Sequence, residues 1–358
     1  MAPSGLLTGV RILDFTIWRP GPYATQLLGE LGAEVCKVEP PGGDPMRAYP
    51  GLFEGLSVNK RSIVLDLKSE EGHRRALELA AEAEVVIEGF RPGVAARLGI
   101  GYDDVRAVNA GVVYCSVSGM GQLGELSTAP GHDINFQAWS GVLAPDGGAP
   151  VVAAVPIADL AGGMAAAYAI CAALVHRQRT GAGERIDVAM GDVLATWTGA
   201  AAPAARGVDP SARGVPGYGA FPTADGRYVT LGIITEDHFW ARLCDVLSLS
   251  DCGELSFVDR MAENERLQAR IAAALARRAR DEVVDALLAA GVPAAPVLDR
   301  SEMLQLSHLR EREVVTFDTA STTPAMGHPV RFEEHPASRT SRAPTLDEHG
   351  GTGFRPRP

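Results

Sequence analysis

The sequence predicts an α/β fold: a parallel, doubly wound sheet followed by a smaller α+β unit. Three observations carry this. Strand-type apolar runs alternate with helical stretches through the first half of the chain. A Gly/Ala/Pro-rich stretch, Thr198 to Gly219, breaks that alternation and reads as a linker. Beyond it a turn signal, Thr223-Ala224-Asp225-Gly226-Arg227, precedes a strand and three helical segments. A length of 358 residues suits two domains.

Each element has a local reason. Val10 to Phe15 is a short apolar strand. Pro20-Gly21-Pro22 opens a helix that Gly32 ends. Glu34 to Glu39 and Ser62 to Leu67 are the next strands. Ser69 caps a helix whose Ala76, Leu79, Ala80 and Ala83 recur at helical spacing. Glu84 to Glu88 and Val112 to Ser118 are strands. A long helix follows Asp159 and ends near Arg179, before Gly181-Ala182-Gly183. Arg185 to Met190 is a further strand. In the smaller unit Tyr228 to Ile234 is a strand, and His238 to Leu247, Asn264 to Ala279 and Asp281 to Ala290 are helical. From Val314 the chain reads as short strands and polar loops. His335 to Pro358 reads as an aperiodic arm lying extended over another surface.

Composition narrows the function. Hydrophobic residues make up 46% and charged residues 22%, which supports a sizeable core. A net charge of −11 gives no global attraction to nucleic acid or to an anionic membrane, so neither partner is expected and an anionic ligand needs local basic residues. The five cysteines form no CxxC pair, which argues against zinc or dithiol chemistry and fits a reducing, cytoplasmic setting. No metal is expected. The first fifteen residues lack the pattern of a signal peptide. Leu160 to Val175, the longest apolar segment, falls short of the roughly 18–20 residues of a spanning helix and reads as a core helix.

Gly119-Met120-Gly121-Gln122-Leu123-Gly124 matches GxGxxG. A dinucleotide site needs that loop to open a helix, and the following ELSTAPGHD has no helical period, so nicotinamide and flavin are not expected. His132 can give and take a proton near neutrality, although a lone histidine is more often a hydrogen-bonded turn residue. Asp159, ahead of an apolar helix, is by spacing a helix cap, and that geometry also sets a carboxylate beside backbone donors suited to a developing oxyanion. Glu236 reads as a first-turn acid. Lys60, Arg61, Lys68 and Arg91 lie near strand ends, where open α/β sheets bind ligands, and suit phosphates; each is equally well a solvated surface residue.

Taken together, LTGVRILDF, GPYATQLLGELGAEVCKVEPPGGDPMR, NKRSIVLDLKSEEG, IEGFRPGVAARLGIGYDDV, GHDINFQAWSGVL, PIADLAGGMAAAYAICAAL, RTGAGERIDVAM and TADGRYVTLG resemble, in order and over nearly the whole chain, the superfamily of family III CoA-transferases and alpha-methylacyl-CoA racemases. The resemblance implies a Rossmann-like, CoA-binding large domain over 1–200 completed by 315–358, a linker over 201–220, a small α+β domain over 221–314, and an interlocked homodimer. It implies an acyl-CoA substrate, with coenzyme A part of that substrate and not a permanently bound cofactor.

The resemblance offers two chemistries. In the transferases an aspartate matching Asp159 attacks the thioester and carries the acyl group as a mixed anhydride. In the racemases it is one of two acid/base groups that invert C2 of a 2-methylacyl-CoA through an enolate. The racemase pattern, a histidine followed by Asp-Ile-Asn, matches His132-Asp133-Ile134-Asn135, and Glu236 matches the glutamate that orients the histidine. Val155 and the run Pro156 to Gly163 read more like the transferases, whereas Arg213 to Gly219 lacks their glycine-only loop. The racemase is therefore the leading expectation, with His132 and Glu236 on one face and Asp159 on the other. The CoA-transferase is the alternative, and a non-catalytic CoA-binding protein the third. Phosphate and pantetheine contacts carry over to Lys68, Asp66, Gly89 and Arg91, with Lys60, Arg61 and Asp133 beside them. Trp18 and Arg19 sit where the family's first loop meets the acyl-CoA.

Overall fold

The computed structural model describes residues 5–143, 149–199, 214–317 and 324–357. The chain divides into two compact units, Met1–Ala200 with His308–Pro358, and Ala201–Ser307. Residues 201–213 of the expected linker, and 318–323 of the C-terminal segment, lie outside the described residues.

In the first unit β1 (Arg11–Asp14), β2 (Glu34–Glu39), β3 (Lys60–Val64), β4 (Val85–Glu88), β5 (Val113–Ser118) and β6 (Glu184–Ala189) form one parallel sheet, in the order β3-β2-β1-β4-β5-β6. This is the predicted α/β class. β3 starts two residues earlier than predicted and stops at Val64. The expected strand overran because Asp66 turns the chain, its carboxylate accepting from the Lys68 N–H at 3.0 Å. The helices are α1 (Pro20–Glu30), α2 (Pro50–Ser57), α3 (Glu70–Glu82), α4 (Val94–Arg97), α5 (Tyr102–Val108), α6 (Asp133–Trp139), α7 (Ile157–Thr180) and α8 (Met190–Gly199).

Both faces of the sheet are covered, as parallel strands require. Along β1 the side chains alternate: Ile12 joins Ala24, Leu28 and Ile170 under α1 and α7, and Leu13 joins Ala76, Leu79 and Val105 under α3 and α5. Ser69 caps α3 as predicted, accepting from the Gly72 N–H at 3.0 Å. α7 is longer than its apolar run suggested and is long and apolar enough to cross a membrane, yet Ala161, Ala166, Ile170 and Leu174 are buried within the protein. It presses on α1 at Gly163, where a Cβ would lie 2.6 Å from the Pro20 carbonyl oxygen. Only glycine permits that approach.

The direction of winding reverses between β1 and β4. From β1 the chain moves to β2 and β3, then returns to build β4, β5 and β6 on the other side. At such a switch point the loops leaving the strands diverge, and a crevice opens at the carboxyl ends.

The C-terminal arm lies along β3, the outer strand of this unit. The His349 N–H donates to the Ser62 carbonyl at 2.9 Å, and the Val64 N–H donates to Asp347 Oδ1 at 2.8 Å. Asn59 accepts from the Thr340 N–H at 2.7 Å. The arm has no helix or strand, it turns over residues 346–352, and the surface it covers belongs to its own chain.

In the second unit β7 (Tyr218–Pro222), β8 (Tyr228–Gly232) and β9 (Ala294–Pro296) form an antiparallel sheet. The predicted turn joins β7 to β8 through a Thr223 N–H to Arg227 carbonyl bond of 2.9 Å. The sheet packs with α9 (Asp237–Val246), α11 (Asn264–Leu275) and α12 (Arg280–Ala289), and α10 (Phe257–Ala262) lies against α11; Trp240, Leu243, Ile271 and Leu287 are in its core.

Candidate active site

A cavity of about 470 Å³ opens in the first unit at the switch point. Its walls are the loop after β1 (Thr16 to Gly21), the loop after β4 (Gly89 to Pro92) and the end of β5 (Val117 to Gly119). His132 and Phe136 enter from the start of α6, and Pro156 and Asp159 from the start of α7. Asp159 is the one carboxylate among the described lining residues.

Asp159 is the third residue of α7 and not its cap, a correction to the reading from spacing; Pro156 holds the cap position. Two effects oppose each other at its half-buried carboxyl. Burial, reinforced by the nearby charge of Asp133, pushes it up to about 6, against the pull of Arg19 and His132. Its backbone N–H donates to Asp133 Oδ1 at 3.1 Å, and Gln137 Nε2 donates to Asp133 Oδ2 at 2.5 Å. Asp133 thus ties the start of α6 to the start of α7. It is outside the cavity lining and braces the two helix starts.

His132 is exposed at the cavity and caps α6. Its backbone N–H donates to Asn135 Oδ1 at 3.0 Å. The GHDIN run is therefore a helix start, not a plain turn. Gly119, the first glycine of the rejected GxGxxG, lines the cavity because a Cβ there would lie 2.2 Å from the Phe136 ring. No helix follows it before α6, and the loop seats the Phe136 ring.

Gly89 and Arg91 line the cavity. Lys68 and Asp66 do not; both are exposed in the turn after β3. Lys60 is corrected more firmly. Its ammonium is buried, donates to the Pro22 carbonyl at 2.9 Å and the Thr25 hydroxyl at 2.7 Å, and pairs with Asp14 at 3.3 Å. Three donors so occupied leave none for a phosphate. Arg61 donates to the Gly353 carbonyl and, at 2.7 Å, to the Thr352 hydroxyl, so it anchors the C-terminal arm. Glu236 belongs to the second unit, where it is the cap residue of α9 and not a first-turn acid. Its carboxylate accepts from the Ile234 N–H at 2.9 Å, which lowers its pKa.

Sequence reasoning missed what supports the cavity floor. Lys37 is fully buried in β2, donates to the Thr16 carbonyl at 2.7 Å and pairs with Asp44 at 2.8 Å. Asp44 in turn accepts from the Met46 N–H at 2.9 Å and the Trp18 N–H at 3.4 Å. The loop that carries Trp18 and Arg19 is therefore pinned from below, with Trp18 held at φ +62°. The available signal was a lysine inside a strand covered on both faces, where an unpaired charge is not tolerated.

Residues 7–350 match the model of CoA-transferase family III. The chain is 34% identical to acetyl-CoA:oxalate CoA-transferase of Acetobacter aceti, over 97% of this chain and 95% of that one. It is 33% identical to succinyl-CoA:mesaconate CoA-transferase of Haloarcula hispanica, over 96% and 94%. Among solved structures, a CAIB/BAIF family protein from Brucella suis superposes with a TM-score of 0.86 at 28% identity, covering 97% of this chain and 98% of that one.

Proposed function

The chain belongs to CoA-transferase family III, and on that premise we propose that it moves coenzyme A from an acyl-CoA to a free carboxylic acid, with Asp159 as the covalent carrier. The observation that carries this reading is Asp159, the one carboxylate among the described residues of the cavity, in a helix start braced by Asp133. The racemase placed first from the GHDIN motif finds no support among these relatives, whose names carry the transferase alternative. The GHDIN run starts α6: the His132 backbone N–H donates to Asn135, and Asp133 braces Asp159.

In this mechanism Asp159 Oδ adds to the thioester carbon, the C–S bond breaks, and CoA thiolate leaves an acyl anhydride on Asp159. The thiolate then attacks the Asp159 carboxyl carbon and releases the donor acid, leaving an aspartyl-CoA thioester. The acceptor carboxylate reverses the sequence: it displaces the thiolate, which next attacks the acceptor acyl carbon and frees Asp159. Coenzyme A enters and leaves as substrate. Gly89 and Arg91, which line the cavity after β4, would meet its pantetheine and phosphates.

Mass spectrometry of a mixture of one acyl-CoA and a second, isotopically labelled acid is expected to show labelled acyl-CoA. His132→Ala is expected to retain transfer within about tenfold, since transfer needs no second base. Deuterium uptake at C2 without transfer, lost in His132→Ala, would restore the racemase.

We also propose a homodimer. α7 leaves Met164, Tyr168 and Val175 exposed along one side, Tyr168 at 77%, and Trp139 and Trp197 are exposed in the same unit. Apolar surface of this kind marks an interface. Sedimentation velocity is expected to give twice the 37.6 kDa chain mass; a monomer at micromolar concentration would refute it.

A further inference from the structure

We infer that His349 is a pH-sensitive catch: in its neutral form it fastens the turn at 346–350 of the C-terminal arm to β3, and its protonation lets that turn swing off the strand. The catch works whether or not the chain transfers coenzyme A. β3 is an edge of the parallel sheet, so every second residue turns its backbone polar groups outward. At Ser62 and Val64 those groups meet the arm and not a further strand. The Ser62 N–H donates to His349 Nδ1 at 3.3 Å, and the Ser62 carbonyl accepts from the His349 N–H at 2.9 Å. The Val64 N–H donates to Asp347 Oδ1 at 2.8 Å. The Ser62 hydroxyl completes the contact: it donates to buried Glu39 at 2.6 Å and accepts from the Asp347 N–H at 3.1 Å.

Two features let this contact open. A ring nitrogen accepts a hydrogen bond only while it carries no proton. A proton on His349 Nδ1 would set one N–H against another, that of Ser62. The surroundings oppose the proton too: burial and the Arg61 guanidinium of β3 lower the His349 pKa, Glu348 raises it, and Arg355 and Arg342 lower it again. The charges beyond are engaged elsewhere. Glu34 of β2 accepts from the Arg355 N–H at 2.6 Å, Glu39 pairs with Arg47 at 2.6 Å, and Arg75 of α3 donates to the Thr352 carbonyl at 3.5 Å. The second feature is strain. Asp347 is held at φ +57°, which non-glycine residues rarely adopt. Its bonds to Val64 and Ser62 keep it there, so loosening the Ser62–His349 pair loosens Asp347 with it. The flanks stay fastened: Arg47 Nη1 donates to the Pro344 carbonyl at 3.3 Å before the turn, and Arg61 Nη2 donates to the Thr352 hydroxyl at 2.7 Å after it. What opens is a flap between two anchors, and it bares the Ser62 and Val64 donors. A base whose pKa is depressed by the closed turn favours closure above the ordinary 6.5 and loses that contribution as pH falls below it.

The test is hydrogen exchange read by mass spectrometry across a series from about pH 7.5 to about pH 5, with rates corrected for their intrinsic pH dependence. In wild type, protection of peptides covering β3 and the 346–353 segment is expected to fall roughly tenfold at the acid end, while β1 and β5 keep theirs. His349→Asn places an amide oxygen where Nδ1 accepts and does not titrate, so it is expected to hold the flap closed throughout. Equal protection across the series in wild type, or the same loss in His349→Asn, overturns the inference. Should that variant not fold, the titration of the His349 ring in wild type, followed by NMR, decides. A midpoint that coincides with the loss of protection supports the catch, and one that does not overturns it.

Discussion

Replacing Asp159 with Asn is expected to lower turnover by on the order of 10⁴-fold and to abolish hydroxamate formation when hydroxylamine is present during turnover. The amide oxygen is a poor nucleophile, and no other carboxylate among the described residues lines the cavity to replace it. The wild-type pH profile has a direction that follows from the same group. Its pKa is raised to about 6. The carboxylate is the reactive form, so kcat/KM should fall roughly tenfold per pH unit below that value and level off above it. Stability moves the other way. A carboxyl whose folded pKa exceeds the ordinary 3.8 binds its proton more tightly folded than unfolded. That contribution is present below about pH 4 and is lost as pH rises through about 6. At neutral pH the ionised Asp159 therefore costs stability, on the order of 1–3 kcal/mol after allowance for its partial exposure. Asp159→Asn should unfold at a higher denaturant concentration than wild type while being inactive. A variant that keeps wild-type turnover, or hydroxamate found on another residue, would exclude Asp159 as carrier.

The second large effect concerns folding. Lys60→Met should destabilise the protein by about 3–5 kcal/mol, because it strands Asp14 as a buried anion with one cation fewer. Burial alone would raise the Asp14 pKa; Lys60, then Lys37, and the hydroxyls of Thr16 and Thr25 hold it low instead. Burial correspondingly lowers Lys60 to about 8, against the attraction of Asp14. For a domain of ordinary stability that loss is a large share of the whole. Adding Asp14→Asn to Lys60→Met should recover much of it, since no unpaired anion remains. Urea unfolding of the single and double variants checks this, and an unchanged midpoint for Lys60→Met would show that the pair contributes nothing.

The contrast between Asp159 and Lys60 shows what was legible in the sequence. Elements set by local chemistry were readable: β2 between its bounds, Ser69 as a cap, the Thr223 to Arg227 turn. So was the parallel α/β class, because it needs only alternation of period. Whole-chain resemblance brought Asp159, His132, Gly89 and Arg91 forward, and they do line one cavity. Long-range polar pairing was not readable. Lys60 and Arg61 look alike on paper, as exposed cations after an asparagine. One is neutralised by Asp14, 46 residues earlier, and the other binds Thr352, 291 residues later. The partner of Asp133, the Asp159 N–H, is likewise 26 residues away. Charge in a sequence tells that a partner is needed, not which one the fold supplies.

The C-terminal arm has a consequence for how the chain is made. β3 is an edge strand, and an uncovered edge invites another chain to pair with it. The groups that cap it, Asp347 and His349, are synthesised 283 and 287 residues after Val64 and Ser62. At about 5–20 residues per second that is an interval of roughly 15–60 s. Throughout it the rim at β3 is bare, and from Ala189 onward the growing polypeptide carries all six strands with that rim unprotected. Protection arrives only when the last turn of the ribosome's work is done, so a chain truncated by a few dozen residues is not merely shorter: it stays permanently at the sticky stage.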